Sequence, residues 1–272
     1  MSEKIPKLSI ITVCYNNRNG LQKTFQSVIR QTFTDFEYII IDGGSTDGTV
    51  DFIKANEQHI KYWISEKDNG IYNAMNKGIK VAKGEYCYFL NSDDCIAAPN
   101  TLEKIFAKIK NNPDIIYGNL AVLKNDKLQY VTKFSKNITP YSFYRHKQAI
   151  HHQASFIKRT LFNQYGLYNE NIKLISDWAF FFEVILLYDF STQYINIVFA
   201  VFLSGGESST GICEKHIKND IMKIHFYDKQ IDDYKLKENL YKKLKINKLE
   251  KLFGKIFLFY TLLKNEIKNE NQ

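Results

Sequence analysis

Short apolar runs alternate with amphipathic stretches over the N-terminal third of the chain. This alternation is typical of βαβ units, in which crossover helices join the strands of a largely parallel sheet. The pattern predicts strands at residues 8–14, 36–41, 60–64 and 86–90, and helices at residues 19–31, 47–56 and 71–82. Four strands and three crossovers fit one open sheet.

The pattern is less regular after a predicted helix at residues 101–110. Apolar runs at 115–123 and 128–133 flank a polar turn of Lys124, Asn125 and Asp126, which predicts an antiparallel pair of strands. The remaining predicted elements are a strand at 154–157, a helix at 159–165, a strongly apolar helix at 178–187 and a strand at 193–202.

These elements predict an α/β fold with a mostly parallel sheet, helices on both faces and small antiparallel elements. A Gly- and Ser-rich segment at residues 204–211 ends the part of the chain with mixed patterns, and a helical pattern follows it. We therefore predict one α/β domain at residues 1–213 and a basic, helical C-terminal extension at residues 214–272.

The net charge of +8 lies mostly in that extension. The extension contains no Arg and interleaves Lys with apolar residues, which is typical of an amphipathic helix and excludes a nucleic-acid groove as its function. An apolar stripe at residues 249–263 flanked by Lys predicts either peripheral contact with an anionic membrane, packing on the first domain, or a homodimer contact.

Composition excludes disorder for most of the chain, because 44% of its residues are hydrophobic and only 24% are charged. The four cysteines, Cys14, Cys87, Cys95 and Cys213, have no CxxC spacing, which predicts reduced and mostly buried thiols. The sequence starts without a signal-peptide pattern and has no apolar run of about 18 residues. We therefore expect a cytoplasmic protein, located peripherally at the inner face of the membrane if the extension binds lipid.

Polar residues follow each of the four predicted strands. Ligands of open α/β sheets bind beyond the carboxyl ends of the strands, so these residues define a candidate site. The segment after the second strand, Asp42 to Thr49, combines glycines for a tight turn with hydroxyls and carboxylates that can cap a helix. A strand-to-helix turn with an acidic cap explains that segment equally well, and an acidic turn explains residues 91–94.

Four segments together carry a resemblance to a known family: SIITVCYNN at 9–17, YIIIDGGSTDGT at 38–49, SEKDNGIYNAMNKGI at 65–79 and YFLNSDD at 88–94. They resemble the inverting family 2 glycosyltransferases with a GT-A fold, in particular bacterial members that assemble capsule, exopolysaccharide or lipopolysaccharide. The resemblance covers about residues 7–210. It implies a nucleotide-sugar donor and a divalent metal, Mn²⁺ or Mg²⁺.

The resemblance also implies roles for the donor-binding residues. Thr12 and Tyr15 are expected to pack around the nucleobase, and Asp42 to accept a hydrogen bond from it. A carboxylate opposite an imide N–H favours uracil, and therefore UDP-sugars. Asp68, Asn76 and Lys77 are expected to run under the ribose and diphosphate, although a solvated helix face is the alternative for Lys77.

The segment from Asn91 to Asp93 occupies the position of the family's Asp-x-Asp motif. Asp93 is expected to bind the metal, and Asn91 and Ser92 to contact the donor. Asn91 departs from the motif, because its first position is acidic in the family. Asp94 is expected to give an outer contact or to cap the next segment.

Asp177 is expected to be the general base that removes the proton from the acceptor hydroxyl, with an N-cap as the alternative role. His152 and Gln153 resemble the segment that lines the acceptor side, and a structural histidine is equally consistent with the sequence. A loop at Gly205, Gly206, Glu207, Ser208 and Ser209 resembles one that closes over the diphosphate.

The sequence thus predicts a metal-dependent inverting glycosyltransferase that moves a sugar, most favourably from a UDP-sugar, to a glycan or lipid-linked glycan in bacterial surface polysaccharide synthesis. One alternative is a sugar nucleotidyltransferase, but the segment VCYNNRNG is a poor version of its Gly-rich basic loop. The other is a catalytically silent, membrane-associated nucleotide-binding protein. Asp93 and Asp177 argue against it.

Overall fold

A computed structural model describes residues 4–125, 127–134, 138, 150–187 and 190–203. Several sequence predictions lie outside these residues. They concern the loop at 205–209, Cys213, the apolar stripe at 249–263 and the extension at 214–272 with its domain boundary.

The described strands and helices follow one another in an order close to the predicted one. The strands are β1 (Leu8–Cys14), β2 (Phe36–Asp42), β3 (Tyr62–Ser65), β4 (Tyr86–Phe89), β5 (Cys95–Ile96), β6 (Ile115–Lys124), β7 (Lys127–Val131), β8 (Ser155–Lys158) and β9 (Thr192–Leu203). The helices are α1 (Arg18–Ile29), α2 (Thr49–Lys54), α3 (Ile71–Val81), α4 (Thr101–Phe106), α5 (Arg159–Tyr165) and α6 (Ser176–Leu187), with short 3₁₀ turns at Glu57–His59 and His152–Ala154.

The four predicted βαβ strands form one parallel half of the sheet, in the order β3-β2-β1-β4. Leu8 of β1 lies opposite Phe36 of β2 and Tyr86 of β4, and the register continues along the strands without a break. All seven residues of β1 are buried, as expected for a central strand covered on both faces. The carboxyl ends of β1, β2 and β4 therefore meet at one edge.

The sheet continues beyond β4 with strands of mixed direction, in the order β4-β8-β6-β9-β5, and β7 pairs with β6. The predicted antiparallel pair, β6 and β7, is confirmed, while β6 and β9 pair in parallel. Strand β5 is absent from the prediction, because two residues are too few to show an alternating pattern. The antiparallel elements thus extend the main sheet.

Helices cover both faces of the sheet, as predicted. Alternate residues of β1 enter opposite cores: Ile11 and Val13 pack on the side of α3, α5 and α6, and Leu8 and Ile10 on the side of α1 and α4. This alternation is the side-chain period of a β-strand. The α/β fold class is therefore confirmed, and no helix in the described ranges has the length and apolar character to cross a membrane.

Two predicted helices are shorter than expected. Helix α2 begins at Thr49, because the Asp47 carboxylate accepts a hydrogen bond from the Thr49 backbone N–H (3.1 Å) and holds the preceding turn. Helix α4 ends at Phe106, and Asn111 and Asn112 in the following turn adopt left-handed backbone angles. The cysteines Cys14, Cys87 and Cys95 are free thiols, and the first two are buried, as predicted.

Candidate active site

The polar residues that follow β1, β2, β3 and β4 lie along one edge of the parallel half of the sheet. Open α/β sheets bind ligands at this edge. Several of the residues predicted to contact a donor are, however, buried beneath it.

Asp42 is fully buried and supports the loop that follows β2. Its Oδ2 accepts hydrogen bonds from the backbone N–H of Gly44 (3.1 Å) and Ser45 (2.9 Å) and from the hydroxyl of Ser65 (2.6 Å). Its Oδ1 accepts from the Ser45 hydroxyl. The carboxylate is thus enclosed and hydrogen-bonded by the protein itself, and a hydrogen bond from a nucleobase to Asp42 stays a prediction.

Thr12 and Asn76 are also buried and bond to the protein itself, and their donor contacts stay predictions. The Thr12 hydroxyl donates to the Leu90 carbonyl (2.8 Å), which ties β1 to the end of β4. The Asn76 amide donates to the Tyr168 carbonyl (2.8 Å) and to Glu170 (2.9 Å), and its oxygen accepts from the Tyr168 N–H (3.0 Å). Asn76 therefore holds the segment between α5 and α6 against α3.

Tyr15, Gly43 and Asp68 meet at the ends of β1, β2 and β3. Tyr15 is 63% exposed. A Cβ atom on Gly43 would lie 2.6 Å from Asp68 Oδ2 and 3.2 Å from the Tyr15 ring. The missing side chain at Gly43 thus leaves room for the Asp68 carboxylate beside an exposed aromatic ring.

Lys77 points to the rim from α3, where its ammonium group is paired with protein atoms. Its Nζ lies 2.8 Å from Glu66 Oε1 and donates to the Lys67 carbonyl (3.3 Å). The side chain is 23% exposed, so a fully solvated helix face does not describe it. Contact with the diphosphate stays a prediction.

Asp93 follows β4 in a left-handed backbone conformation (φ +80°), which residues other than glycine seldom adopt. Asn17 caps helix α1 by accepting from the Gly20 N–H (3.0 Å), and its amide donates to Asp93 Oδ2 (2.6 Å) and to the Ser92 hydroxyl (3.3 Å). Lys23 Nζ lies 3.7 Å from Asp93 Oδ1, and the Asp93 side chain is 38% exposed. The turn thus presents one fixed, accessible carboxylate.

This carboxylate fits a divalent cation only as part of a ligand set. The described residues hold no cluster of three or more His, Cys, Asp or Glu side chains arranged for a metal. Mg²⁺ is usually bound through one or two carboxylates, with substrate phosphates and waters as the remaining ligands. The accessible carboxylate of Asp93 is consistent with that mode of binding.

Asp177 lies in the first turn of α6, and its carboxylate is held by two other elements. Its Oδ1 accepts a hydrogen bond from the Tyr72 hydroxyl of α3 (2.6 Å), and its Oδ2 lies 2.7 Å from Nδ1 of His152. Burial favours the neutral acid, yet these hydrogen bonds favour the carboxylate and hold the pKa of Asp177 below its usual range. The side chain retains 14% exposure. Asp177 therefore presents an ionised carboxylate that is largely buried, and its role as the general base stays a prediction.

His152 also contacts Asn91, since Asn91 Nδ2 lies 3.1 Å from His152 Nε2. Gln153 is buried and hydrogen-bonds Asp94. Burial raises the pKa of Asp94 to about 7, against the opposing effects of His152 and Gln153. Gln153 and Asp94 therefore lie under the rim, whereas His152 connects the turn after β4 with Asp177.

Comparison with known proteins places this geometry in a family. The sequence profile described as "Glycosyl transferase family 2" matches residues 9–166. A "PGL/p-HBAD biosynthesis glycosyltransferase" of Mycobacterium bovis is 31% identical over 215 residues, covering 77% of this chain and 82% of that protein. The chain belongs to glycosyl transferase family 2. It is therefore a glycosyltransferase, and a sugar nucleotidyltransferase is no longer the competing assignment.

Other relatives of this family 2 glycosyltransferase agree with the fold. An uncharacterized glycosyltransferase of Mycobacterium tuberculosis is 32% identical and covers 67% of this chain and 70% of that protein. The crystal structure of S. aureus TarS 1-349 in complex with UDP-GlcNAc has a TM-score of 0.64 at 18% identity, covering 80% of this chain and 66% of that one. The mannosyltransferase PcManGT of Pyrobaculum calidifontis, in complex with GDP-Man and Mn²⁺, has a TM-score of 0.54 at 19% identity, covering 75% and 59%. This chain thus spans about two thirds of the TarS chain and a smaller share of the PcManGT chain.

Two residues of the candidate site lie in the segments that carry the resemblance, but the sequence analysis gives neither of them a role. Asn17 fixes Asp93, and Tyr72 fixes the Asp177 carboxylate from a position 105 residues away in sequence. Asn17 carries a signal of its own, because an Asn directly before a helix is a common N-cap. Tyr72 carries none, since a tyrosine on an amphipathic helix is indistinguishable from a core residue until its hydroxyl is located.

Proposed function

We propose that this glycosyltransferase is metal-dependent and inverting, and that it moves a sugar from a nucleotide-diphosphate sugar, most favourably a UDP-sugar, to a glycan or lipid-linked glycan. The observation that carries the proposal is the Asp177 carboxylate, which is held ionised by Tyr72 and His152 at the same rim as Asp93. An inverting transfer requires one general base and a separate group that stabilises the negative charge of the diphosphate leaving group.

In the proposed reaction Asp177 removes the proton from the acceptor hydroxyl. The acceptor oxygen attacks the anomeric carbon from the face opposite the diphosphate and forms the new glycosidic bond. The bond from the anomeric carbon to the phosphate oxygen breaks, and its electron pair leaves with the diphosphate. His152 and Tyr72 hold the carboxylate in place, because each contributes a hydrogen bond to a different oxygen.

Donor recognition is assigned to the cluster of Tyr15, Gly43 and Asp68. The exposed Tyr15 ring offers a face for stacking a nucleobase, and the adjacent Asp68 carboxylate is an acceptor for a base or ribose N–H or O–H. We propose this role for Asp68 beside the one predicted for Asp42. The preference for UDP now draws support from TarS, whose crystal structure contains UDP-GlcNAc, together with this carboxylate.

Asp93 is the residue that would hold Mn²⁺ or Mg²⁺, and Ser92 lies beside it. A bound divalent ion would neutralise charge on the diphosphate leaving group. Two neighbouring side chains support this site. Asn17 orients the Asp93 carboxylate through its hydrogen bond, and the ammonium group of Lys23 favours the binding of anions at this turn. Mn²⁺ in the PcManGT complex supports a divalent metal in this family.

The acceptor class is proposed from a relative. The matched Mycobacterium bovis glycosyltransferase is named for PGL/p-HBAD biosynthesis, which supports a role in biosynthesis, and the glycan or lipid-linked glycan acceptor follows from the family resemblance. Peripheral binding at the inner face of the cytoplasmic membrane, or a homodimer, stays a prediction from the amphipathic sequence at residues 249–263.

The proposal is tested by measuring binding and hydrolysis of UDP-GlcNAc, UDP-glucose and GDP-mannose with the full chain, in Mn²⁺ and in EDTA. Hydrolysis uses water in place of the acceptor, so it requires no knowledge of the acceptor. We expect at least one UDP-sugar to bind more tightly with Mn²⁺ than with EDTA and to release its sugar. Absence of metal-dependent binding by all three donors would contradict the proposal.

Tyr72→Phe is expected to move the acid limb of the pH profile of kcat/KM to higher pH. The Tyr72 hydroxyl favours the charged form of Asp177, so its removal raises the pKa of that carboxyl towards the ordinary value. Loss of a hydrogen bond to a charged group costs about 1.5–3 kcal/mol, which predicts a shift of about one pH unit or more. Tyr86→Phe, which removes a buried hydroxyl on β4, should leave the limb in place.

Gly43→Ala is expected to weaken donor binding about tenfold, because the new methyl group would occupy the space of the Asp68 carboxylate. Titration of the donor into Gly43→Ala, Asp68→Ala and the double variant forms a double-mutant cycle. If Gly43→Ala acts by displacing the Asp68 carboxylate, the double variant should bind the donor about as weakly as Asp68→Ala alone. Additive effects in the double variant would contradict that explanation.

A further inference from the structure

The segment between α5 and α6 is joined to helix α3 by the carboxylate of Glu170. Its Oε2 accepts a hydrogen bond from the side-chain amide of Asn73 (2.8 Å), and its Oε1 accepts one from the amide of Asn76 (2.9 Å). The hydrogen bond from Asn76, followed by the one from Asn73, holds the pKa of Glu170 below its usual range against the effect of burial. One ionised carboxylate therefore connects this segment to two neighbouring positions on one face of α3.

Backbone N–H groups fix the orientation of both amides. The oxygen of Asn76 accepts from the Tyr168 N–H (3.0 Å), and the oxygen of Asn73 accepts from the Asn69 N–H (3.3 Å). Since a backbone N–H can only donate, each amide turns its oxygen to the backbone and its NH₂ group to Glu170. Position 170 thus faces two donors. A carboxylate offers an acceptor to each of them, whereas the amide of a glutamine has only one oxygen.

Asn69, in the loop that follows β3, is held on both sides. Its N–H is bonded to Asn73, and its carbonyl accepts a hydrogen bond from the ammonium group of Lys173 (3.3 Å). Lys173 also donates to the carbonyl of Glu170 (3.0 Å). The backbone of Asn69 is therefore tied both to α3 and to the segment that precedes α6.

The residues on either side of Asn69 determine where the Asp68 carboxylate lies. Gly70 donates its backbone N–H to Asp68 Oδ1 (2.9 Å) and has a φ of +116°, a conformation that favours glycine. The other oxygen, Oδ2, is the one beside Gly43 in the proposed donor cluster. A loop held at Asn69 keeps this carboxylate in place before the donor arrives. Such preorganisation increases affinity, because less conformational entropy is lost on binding.

We infer that Glu170 is a positioning residue of the donor site, which acts through Asn73 to hold the loop that presents the Asp68 carboxylate. Asp177 is held by hydrogen bonds of its own, so a change at Glu170 should alter donor affinity and leave the chemical step unchanged. The effect on affinity rests on the proposed function of Asp68 in donor binding, whereas the ordering of the loop does not.

The first measurement follows the loop in the full chain, without donor or metal. Glu170→Gln leaves one of the two amides without an acceptor. Adding Asn73→Asp to this variant restores the pairing, because the new carboxylate can accept from both the Asn69 N–H and the new amide. We expect the ¹⁵N order parameters of Asn69 and Gly70 to fall in Glu170→Gln and to recover in the double variant. An unchanged loop in Glu170→Gln, or no recovery in the double variant, would overturn the inference.

The second measurement compares binding and hydrolysis of UDP-GlcNAc by the same proteins in Mn²⁺. Glu170→Gln should weaken donor binding roughly three- to tenfold through partial loss of a charge-assisted contact, and kcat should stay near the wild-type value. The double variant should regain most of the affinity. Glu85→Gln, which removes a carboxylate paired with Lys7 directly before β4, is the matched control and should bind the donor normally. A lower kcat with wild-type affinity in Glu170→Gln would contradict the inferred role.

Asp68→Ala separates the inference from the proposed donor cluster. In that background Glu170→Gln should have no further effect on affinity, because the carboxylate that it positions is absent. Additive losses would show that Glu170 acts on donor binding by another route and would overturn the inference. Wild-type affinity in Asp68→Ala alone would contradict the donor cluster instead, and the order parameters would still decide whether Glu170 holds the loop.

Discussion

Asp177→Asn is expected to lower sugar transfer and donor hydrolysis by roughly 10²- to 10⁴-fold, the range for loss of a general base. Asparagine has the same shape as aspartate, and its side chain can keep hydrogen bonds to His152 and Tyr72. It has no lone pair basic enough to remove the acceptor proton. The dissociation constant for the donor should therefore be close to the wild-type value.

The matched control is Asp51→Asn, an exposed carboxylate on α2 that has no part in the proposed reaction. Initial rates with UDP-GlcNAc and isothermal titration of the donor should be compared for the wild type and both variants. Wild-type hydrolysis by Asp177→Asn would remove this residue from the reaction. Loss of donor binding together with loss of rate would assign it to binding.

Asp93→Asn is expected to remove the metal-dependent part of donor binding. An amide oxygen is a neutral and weaker ligand than a carboxylate, and Asp93 is the exposed carboxylate of this turn. Loss of an outer-shell partner alone typically costs 10–100-fold in metal affinity, so loss of a direct ligand should cost at least about that much. Titrations of UDP-GlcNAc at several Mn²⁺ concentrations measure the effect.

The same variant contains its own control, because binding in EDTA does not involve the metal. Asp93→Asn and the wild type should bind the donor equally in EDTA and differ only when Mn²⁺ is present. Equal Mn²⁺ dependence in the two proteins would contradict the assignment of Asp93.

The parallel half of the fold was predictable because its strands form short apolar runs, buried in β1, β2 and β4, that are separated by amphipathic helices. Strands β1 to β4 lie within a few residues of their predicted positions. The C-terminal half was less predictable, because its strands pair over long sequence separations. The parallel pairing of β6 with β9 joins residues 115–123 to 192–203, and no local pattern specifies such a partner.

The sequence was sufficient to locate the candidate site. It was less informative about the role of each residue in it. Polar residues after successive strands do define the rim, yet Asp42 and Asn76, which match the family segments, bond to the protein's own backbone. Sequence position cannot tell a carboxylate that faces a ligand from one that supports a loop. Conversely, the room at Gly43 for Asp68 depends on two loops that are distant in sequence.

The most direct test of the proposed mechanism is the configuration of the sugar that is first released from UDP-GlcNAc, whose glycosidic bond is α. With water as the acceptor, ¹H NMR can record the anomer before mutarotation mixes the two forms. A single displacement assisted by Asp177 predicts β-N-acetylglucosamine as the initial product. Initial release of the α-anomer would contradict the proposed inverting reaction.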